Sequence, residues 1–258
     1  MKKEKIAKVL AHRGAASRRR AEALVRAGKV TVHGQRMDNV AELIDPDAPI
    51  TVEGQPLPLA ETTRLWAFYK PAGCLTTRSD PEGRPTLYDY LPPALQQVHY
   101  IGRLDYTTEG LLLLTNSPTL KKTWEDPKTA LVRYYRVRLW GHLTEKDQNT
   151  LRQPMVIEGM GYQAFGITID RQTSGHTWAL VTLTEGKNRE IRRVFDHLGY
   201  PVTRLIRTGY GPYRLSDLPL KEGEVMELPL IPTEAPPKHP PPKVRLKGNP
   251  ANGPFPSS

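Results

Sequence analysis

Apolar residues near the start of the chain recur at helical spacing. They recur every three or four positions in 6–10 and again in 21–25, which predicts two short helices. Ser17 suits the N-cap of the second helix, and Gly28 suits its end. Val30–Val32 follows with the β-branched residues of a strand. The pattern predicts a small unit, residues 1–58, with two helices followed by strands.

The pattern changes after a short stretch without periodicity, residues 59–64, which we interpret as a linker. From there to residue 231 short apolar strands dominate, with helices between some of them. This mixture lacks regular alternation of strand and helix and favours an α+β domain with a largely antiparallel sheet. The predicted strands are 65–69, 111–115, 135–139, 165–169 and 178–183, and the predicted helices are 145–151 and 190–198.

The last 27 residues, 232–258, include nine prolines and few apolar residues. Such a segment cannot bury enough surface to offset the entropy lost on ordering. The composition therefore predicts a disordered, basic, proline-rich tail.

Positive charge is concentrated at the ends of the chain. Residues 1–36 carry eleven Lys/Arg against two acids, and the tail carries four against one, whereas the whole chain has a net charge of +10. A near-neutral body with a basic module is typical of proteins that bind nucleic acid. The single cysteine, Cys74, fits a reducing compartment, and no apolar run is long enough to span a membrane, so we expect a cytoplasmic protein.

Three consecutive arginines, Arg18, Arg19 and Arg20, occupy the first turn of the second predicted helix. Cations there are disfavoured by the helix dipole, so folding alone would place acids at these positions. Together with the free backbone N–H groups of a helix N-terminus, they suit the binding of RNA phosphates. A solvated basic helix face is the alternative interpretation.

The segment 102–116 places Asp105 between two glycines, directly before a strand of four leucines. A carboxylate held at such a junction suits a nucleophile or a base. The alternative is that Asp105 only caps a turn before a buried strand.

The segment 102–115 resembles the catalytic motif of the RNA pseudouridine synthases, in the branch that contains the A-type synthase of the small ribosomal subunit and the B-, E- and F-type synthases of the large one. Segments 70–73 with 80–86, 133–137 and 184–193 resemble the other motifs of this family and occur in family order. Residues 17–32 resemble the ribosomal S4-type RNA-binding domain. Asn188-Arg189-Glu190, together with 80–85, is most similar to the B-type synthases of the large ribosomal subunit.

The resemblance implies the pseudouridine synthase fold, with a central mixed sheet, and an aspartate-dependent isomerisation of uridine. Asp105 would attack C1′ or remove the C2′ proton, and the sequence leaves both roles open. Because burial alone would neutralise this carboxylate, a permanently charged partner has to keep it ionised, and the resemblance implies Arg192. It also implies that Tyr135 stacks on the target base.

Further residues follow from the same matches. Ile191 is expected to form an apolar wall of the uracil pocket, and Arg103 to fill the space that a flipped nucleotide leaves. Lys29, Lys187 and Arg189 are expected to contact RNA together with the arginine cluster of the second helix.

The expected reaction breaks and remakes one glycosidic bond without redox chemistry or an external acceptor, so neither a cofactor nor a metal is required. The expected partner is ribosomal RNA, bound by a monomer. The similarity to the B-type synthases favours the RNA of the large subunit (23S). Two alternatives are a small-subunit (16S) rRNA synthase and, in a different class, a non-catalytic S4-type ribosome-assembly factor. A factor that only binds RNA would not need Asp105, Tyr135 and Arg192 together.

Overall fold

The computed structural model describes residues 3–59, 62–173 and 175–231, and the predicted tail, 232–258, lies outside them. The chain divides into two compact units, 1–63 and 64–258, at a point within the predicted linker. Within the described residues, no helix is long and apolar enough to cross a membrane.

The N-terminal unit packs two helices against short antiparallel strands. Ser17 caps the second helix by accepting a hydrogen bond from the backbone N–H of Arg20 at 3.5 Å, as the sequence predicted. Apolar side chains of both helices and of the strands form one core. The elements are β1 (Glu4–Lys5), α1 (Ile6–His12), α2 (Arg18–Arg26), β2 (Val30–Val32), β3 (Gln35–Met37), β4 (Leu43–Ile44), β5 (Ile50–Val52) and β6 (Gln55–Leu57).

The second unit consists mainly of strands with three α-helices among its described residues. Its first half contains β7 (Leu65–Lys70), β8 (His99–Ile101), β9 (Thr108–Thr115), α3 (Pro118–Glu125), β10 (Arg133–Trp140) and α4 (Glu145–Leu151). Its second half contains β11 (Met155–Ile157), β12 (Met160–Tyr162), β13 (Gly166–Gln172), β14 (His176–Leu183), α5 (Glu190–His197), β15 (Val202–Tyr210), β16 (Tyr213–Arg214) and β17 (Val225–Leu228).

One sheet organises this unit, in the order β13-β14-β10-β15-β9-β7-β17, with β8 beside β9 and β16 beside β15. All its pairs are antiparallel except β15 with β9, which is parallel. The predicted α+β fold with a mixed, largely antiparallel sheet is confirmed.

Strand β9 is buried on both faces, which explains its run of four leucines. Leu112 and Leu114 contribute to one core, which also contains the apolar face of α5. Leu111 and Leu113 contribute to a second core on the opposite face, with Trp124 of α3. Strand β9 therefore packs between two cores, and the segment that precedes it is attached to a firmly packed strand.

Strand β15 lies between β10 and β9 but was not predicted from the sequence. Arg204 and Arg207 interrupt its apolar pattern, so the segment lacks the continuous apolar run of a buried strand. Helix α3 was not predicted either, although Ser117 accepts a hydrogen bond from the Leu120 N–H at 3.2 Å as its N-cap.

Candidate active site

Asp105 lies in the turn between β8 and β9, and its backbone carbonyl accepts a hydrogen bond from the Thr108 N–H at 3.0 Å. The buried Lys70 ammonium group holds this turn through hydrogen bonds to its backbone. It donates to the carbonyl oxygens of Thr108 at 2.8 Å and Tyr106 at 3.4 Å. Burial lowers the pKa of Lys70 to about 8. These contacts fix the backbone on which Asp105 is placed.

Two more side chains hold the residues before Asp105. The Thr76 hydroxyl donates to the Leu104 carbonyl at 2.9 Å, and the Glu125 carboxylate accepts from the Gly102 N–H at 2.7 Å. The neighbouring Cys74 is buried, and burial raises the pKa of its thiol to about 11. A thiol with that pKa packs as a small apolar group and is not activated as a nucleophile.

Asp105 is a half-buried carboxylate whose ion pair is formed by Arg189, with 3.9 Å between Nη1 and Oδ2. Arg189 precedes α5 in the left-handed backbone region, with φ of 51°. The motif resemblance in the sequence had implied Arg192 for this ion pair. Arg192 instead donates to the Thr107 hydroxyl at 3.0 Å and the Val202 carbonyl at 3.1 Å.

Arg192 still lies close enough to be influenced by the aspartate. Its pKa is lowered by burial and by the neighbouring Arg189, and Asp105 opposes this shift. Two guanidinium groups therefore place positive charge around the Asp105 carboxylate. Arg189 pairs with it directly, and Arg192 binds Thr107 in the turn that carries it.

Tyr135 lies on β10 with its side chain buried on the face that packs against α5, where Ile191 is buried as well. Its neighbour Tyr134 lies on the other face of the sheet, where the Arg214 guanidinium stacks on its ring at 3.5 Å. The alternation of side chains along a strand accounts for this difference.

These elements surround a cavity of about 360 Å³. Asp105, Tyr135 and Ile191 line it, together with the exposed Arg103 and with Arg207. The predicted catalytic and pocket residues are thus brought together, although Asp105 and Ile191 are separated by more than eighty positions in the chain.

The cavity wall has unfilled hydrogen-bonding capacity. Six buried side-chain nitrogen or oxygen atoms of the described residues have no partner, and four of them belong to cavity residues: Thr108 Oγ1, Glu190 Oε1, Arg192 Nε and Arg207 Nη2. Buried polar groups are normally paired, so the cavity suits a ligand rich in donors and acceptors.

Three of these cavity residues, Thr108, Glu190 and Arg207, were not predicted to take part in the site. Thr108 and Glu190 were visible only as parts of the motifs 102–116 and 184–193. Arg207 had one signal in the sequence, an arginine directly after the apolar pair Leu205-Ile206.

The residues expected to contact RNA are located in both units. Arg18, Arg19 and Arg20 are exposed in the first turn of α2. Lys29 is paired with Glu53 at 2.6 Å, and Arg20 of the cluster is close enough to Glu53 to contribute to the lowered pKa of its carboxyl. In the second unit, Lys187 lines the cavity and donates to Glu185 and to the Gly161 carbonyl, both at 2.6 Å.

Family models match both units of the chain. Residues 64–197 match the RNA pseudouridylate synthase family, and residues 4–50 match the S4 domain. The chain belongs to the RNA pseudouridine synthase family. It is therefore an isomerase with an N-terminal S4 RNA-binding domain, as the sequence predicted, and the alternative of a non-catalytic factor is not needed.

Individual relatives extend over most of this synthase. It is 40% identical over 227 residues to an uncharacterised RNA pseudouridine synthase of Rickettsia typhi, covering 87% of this chain and 91% of that protein. It is 39% identical over 229 residues to the ribosomal large subunit pseudouridine synthase B of Salmonella typhi, covering 85% and 76% respectively. A crystal structure of a pseudouridylate synthase superimposes with a TM-score of 0.62 at 25% identity, covering 87% of this chain and 96% of the other.

Proposed function

We propose that this synthase converts a specific uridine of ribosomal RNA, in the large subunit, to pseudouridine and that Asp105 performs the first chemical step. The observation that carries the proposal is the position of Asp105 at the cavity, on a turn held by Lys70, with Arg189 at 3.9 Å. A carboxylate that is rigidly held and paired with a cation is correctly oriented for attack.

The chemistry is a rearrangement in which no atom is gained or lost. The bond between N1 of uracil and C1′ of ribose breaks, the ring rotates, and C5 bonds to C1′ while the C5 proton leaves and N1 gains one. Asp105 starts this sequence either by bonding to C1′ or by taking the C2′ proton. Tyr135 and Ile191 supply an aromatic and an apolar wall that suit the flat faces of the ring.

The cations around the cavity have separate tasks in this proposal. Arg189 pairs with the Asp105 carboxylate, and Arg192 holds the turn through Thr107. Arg103 is exposed at the cavity edge, where it can occupy the position of an extruded nucleotide. Extruding the nucleotide from its helix costs a few kcal/mol. Hydrogen bonds between the flipped base and the unpaired polar atoms of the cavity offset this cost.

Support for a large-subunit substrate comes from the relative of Salmonella typhi, whose name assigns it to the large ribosomal subunit and whose sequence aligns with 85% of this chain. The sequence features that favoured this branch lie in the second unit, 80–85 in a loop and 188–190 in the turn that leads into α5. A small-subunit uridine is the alternative outcome of the experiment below.

The test is the replacement Asp105→Asn, which keeps the size of the side chain but removes its charge. Pseudouridine formation on protein-free 23S rRNA should become undetectable, whereas RNA affinity should change little. Asp196→Asn, an exposed aspartate of α5, is the matched control and should retain full activity. Turnover by Asp105→Asn contradicts the mechanism, and modification of 16S in place of 23S rRNA by the unaltered protein contradicts the choice of RNA.

A further inference from the structure

Arg207 is a fully buried cation in the wall of the cavity. Its side chain is 2% exposed, and its Nε donates to the Leu111 carbonyl at 2.7 Å. Its Nη2 has no hydrogen-bond partner in the part of the chain that the structure describes. No carboxylate among these residues lies within 4.0 Å of the guanidinium.

Two other cations of this unit show how a buried or half-buried charge is usually compensated. Lys70 donates to three backbone carbonyls, and Arg204, which precedes Arg207 on β15, forms a two-pronged pair with Glu109 at 3.0 and 2.8 Å. Burying a charge without a partner is costly, and a guanidinium does not lose its proton to avoid that cost. The unpaired Nη2 of Arg207 is therefore expected to find its acceptor on a ligand.

The surroundings of Arg207 indicate which part of the ligand it meets. Tyr135 lies opposite it across the strands, and the Tyr135 and Tyr210 side chains oppose the lowering of the Arg207 pKa that burial causes. The Arg207 guanidinium lies 5.3 Å from the centre of the Tyr210 ring. A Cβ added to Gly102 would lie 3.7 Å from its Nη1. Arg207 thus belongs to the wall that carries Tyr135, the wall expected to contact the base, and it does not form the ion pair of Asp105.

We propose that Arg207 donates hydrogen bonds to a uracil carbonyl oxygen and stabilises the negative charge that the ring acquires when the N1–C1′ bond breaks. This inference rests on the proposed function. The electron pair of the breaking bond moves to N1 and is delocalised onto the ring oxygens. At the same time C1′ becomes bonded to Asp105, or Asp105 takes the C2′ proton and the electron pair of the C2′–H bond forms a C1′–C2′ double bond. A buried cation that is already fixed in position stabilises such a charge without reorganisation during the reaction.

The experiment compares two RNA substrates that differ only at the target base, uridine or 5-fluorouridine, under single-turnover conditions with saturating protein. Fluorine withdraws electrons and makes the uracil anion more stable by itself. Replacement Arg207→Met should slow cleavage of the uridine substrate by about 10²–10³-fold, the usual effect of removing one oxyanion donor. Its effect on the 5-fluorouridine substrate should be clearly smaller, and Arg207→Lys, which keeps a charge, should be intermediate.

The ratio of the two losses separates a catalytic role from a structural one, because misfolded protein in a preparation slows both substrates equally. Arg204→Met is the matched control, because it also replaces an arginine of β15, but one that already pairs with Glu109. Its losses of rate on the two substrates should be equal. If Arg207→Met does not fold, Arg207→Lys carries the same comparison.

Equal losses on the two substrates for the Arg207 variants overturn the inference. Failure of the unaltered protein to convert either substrate is a different result, because it contradicts the proposed function itself.

Discussion

Glu190 is a buried carboxyl of the cavity that faces a second carboxyl. Its pKa is raised to about 8 by burial and by the neighbouring Glu185, and the Lys187 backbone N–H, which donates to Oε2 at 3.0 Å, opposes this shift. Its Oε1 has no partner in the described ranges. A proton held between Glu190 and Glu185 would satisfy that oxygen and keep the loop 185–190 in place beside Asp105.

This proton makes stability depend on pH. The folded protein keeps it up to about pH 8, whereas the unfolded chain releases it near the ordinary value of 4.5. The folded state binds more protons between these values, so the stabilisation is complete below about pH 4.5 and is lost as pH rises to 8. We expect the free energy of unfolding of the unaltered protein to fall over this range relative to that of Glu190→Gln.

Urea unfolding at a series of pH values measures this difference. Glu158→Gln, an exposed glutamate at the turn between β11 and β12, should follow the unaltered protein throughout. Parallel profiles for Glu190→Gln and the unaltered protein would show that Glu190 is ionised in the folded state.

At the scale of secondary-structure elements, the parallel pairing of β9 with β15 connects the turn of Asp105 to the strand of Arg207. The pairing requires a close approach at Gly110, whose φ is 105° and whose position would place an added Cβ 2.3 Å from the Arg207 carbonyl oxygen. Backbone cannot yield as a flexible side chain can, so only glycine fits here.

Gly110→Ala should therefore destabilise the protein by about 3 kcal/mol or more, the combined cost of a left-handed alanine and an overpacked contact. Gly159→Ala is the matched control, since Gly159 also has a positive φ, 78°, but no atom within 4 Å of an added Cβ. It should cost only about 1–2 kcal/mol. Calorimetric melting measures both, and equal losses would mean that strand pairing at Gly110 is not tight.

At the scale of the whole molecule, we expect most of the affinity for RNA to come from one unit and the chemistry from the other. The exposed cluster Arg18, Arg19 and Arg20 belongs to the N-terminal unit, and the cavity belongs to the second. Replacing the three arginines by alanine should weaken RNA binding and flatten the plot of log K against log salt by roughly two units, because each single-stranded phosphate contact contributes about 0.7. Turnover at saturating RNA should be unchanged.

Binding titrations at several salt concentrations test this separation. A variant with Lys122, Lys128 and Lys146 replaced by alanine removes the same charge from exposed positions of the second unit and should keep the slope of the unaltered protein. An unchanged slope in the arginine variant would place the phosphate contacts elsewhere.

Much of the local structure could be predicted because it depends on neighbours in the chain. Ser17 capping α2, the strand of leucines buried on both faces and the helix 145–151 all follow from short-range patterns, and the structure has them. The motif 102–116 likewise located Asp105 at the start of a buried strand. These features need only the chemistry of a few consecutive residues and the periodicity of a helix or strand.

The contacts that complete the site were decided by the tertiary structure. Arg207 donates to Leu111, ninety-six positions away, because β15 enters the sheet beside β9, and its own sequence pattern did not indicate a buried strand. Arg189 pairs with Asp105 from the turn before α5, where its backbone is left-handed and its side chain lines the cavity. A sequence pattern reports which face of an element is apolar, whereas the partner of a buried charge depends on which strands become neighbours.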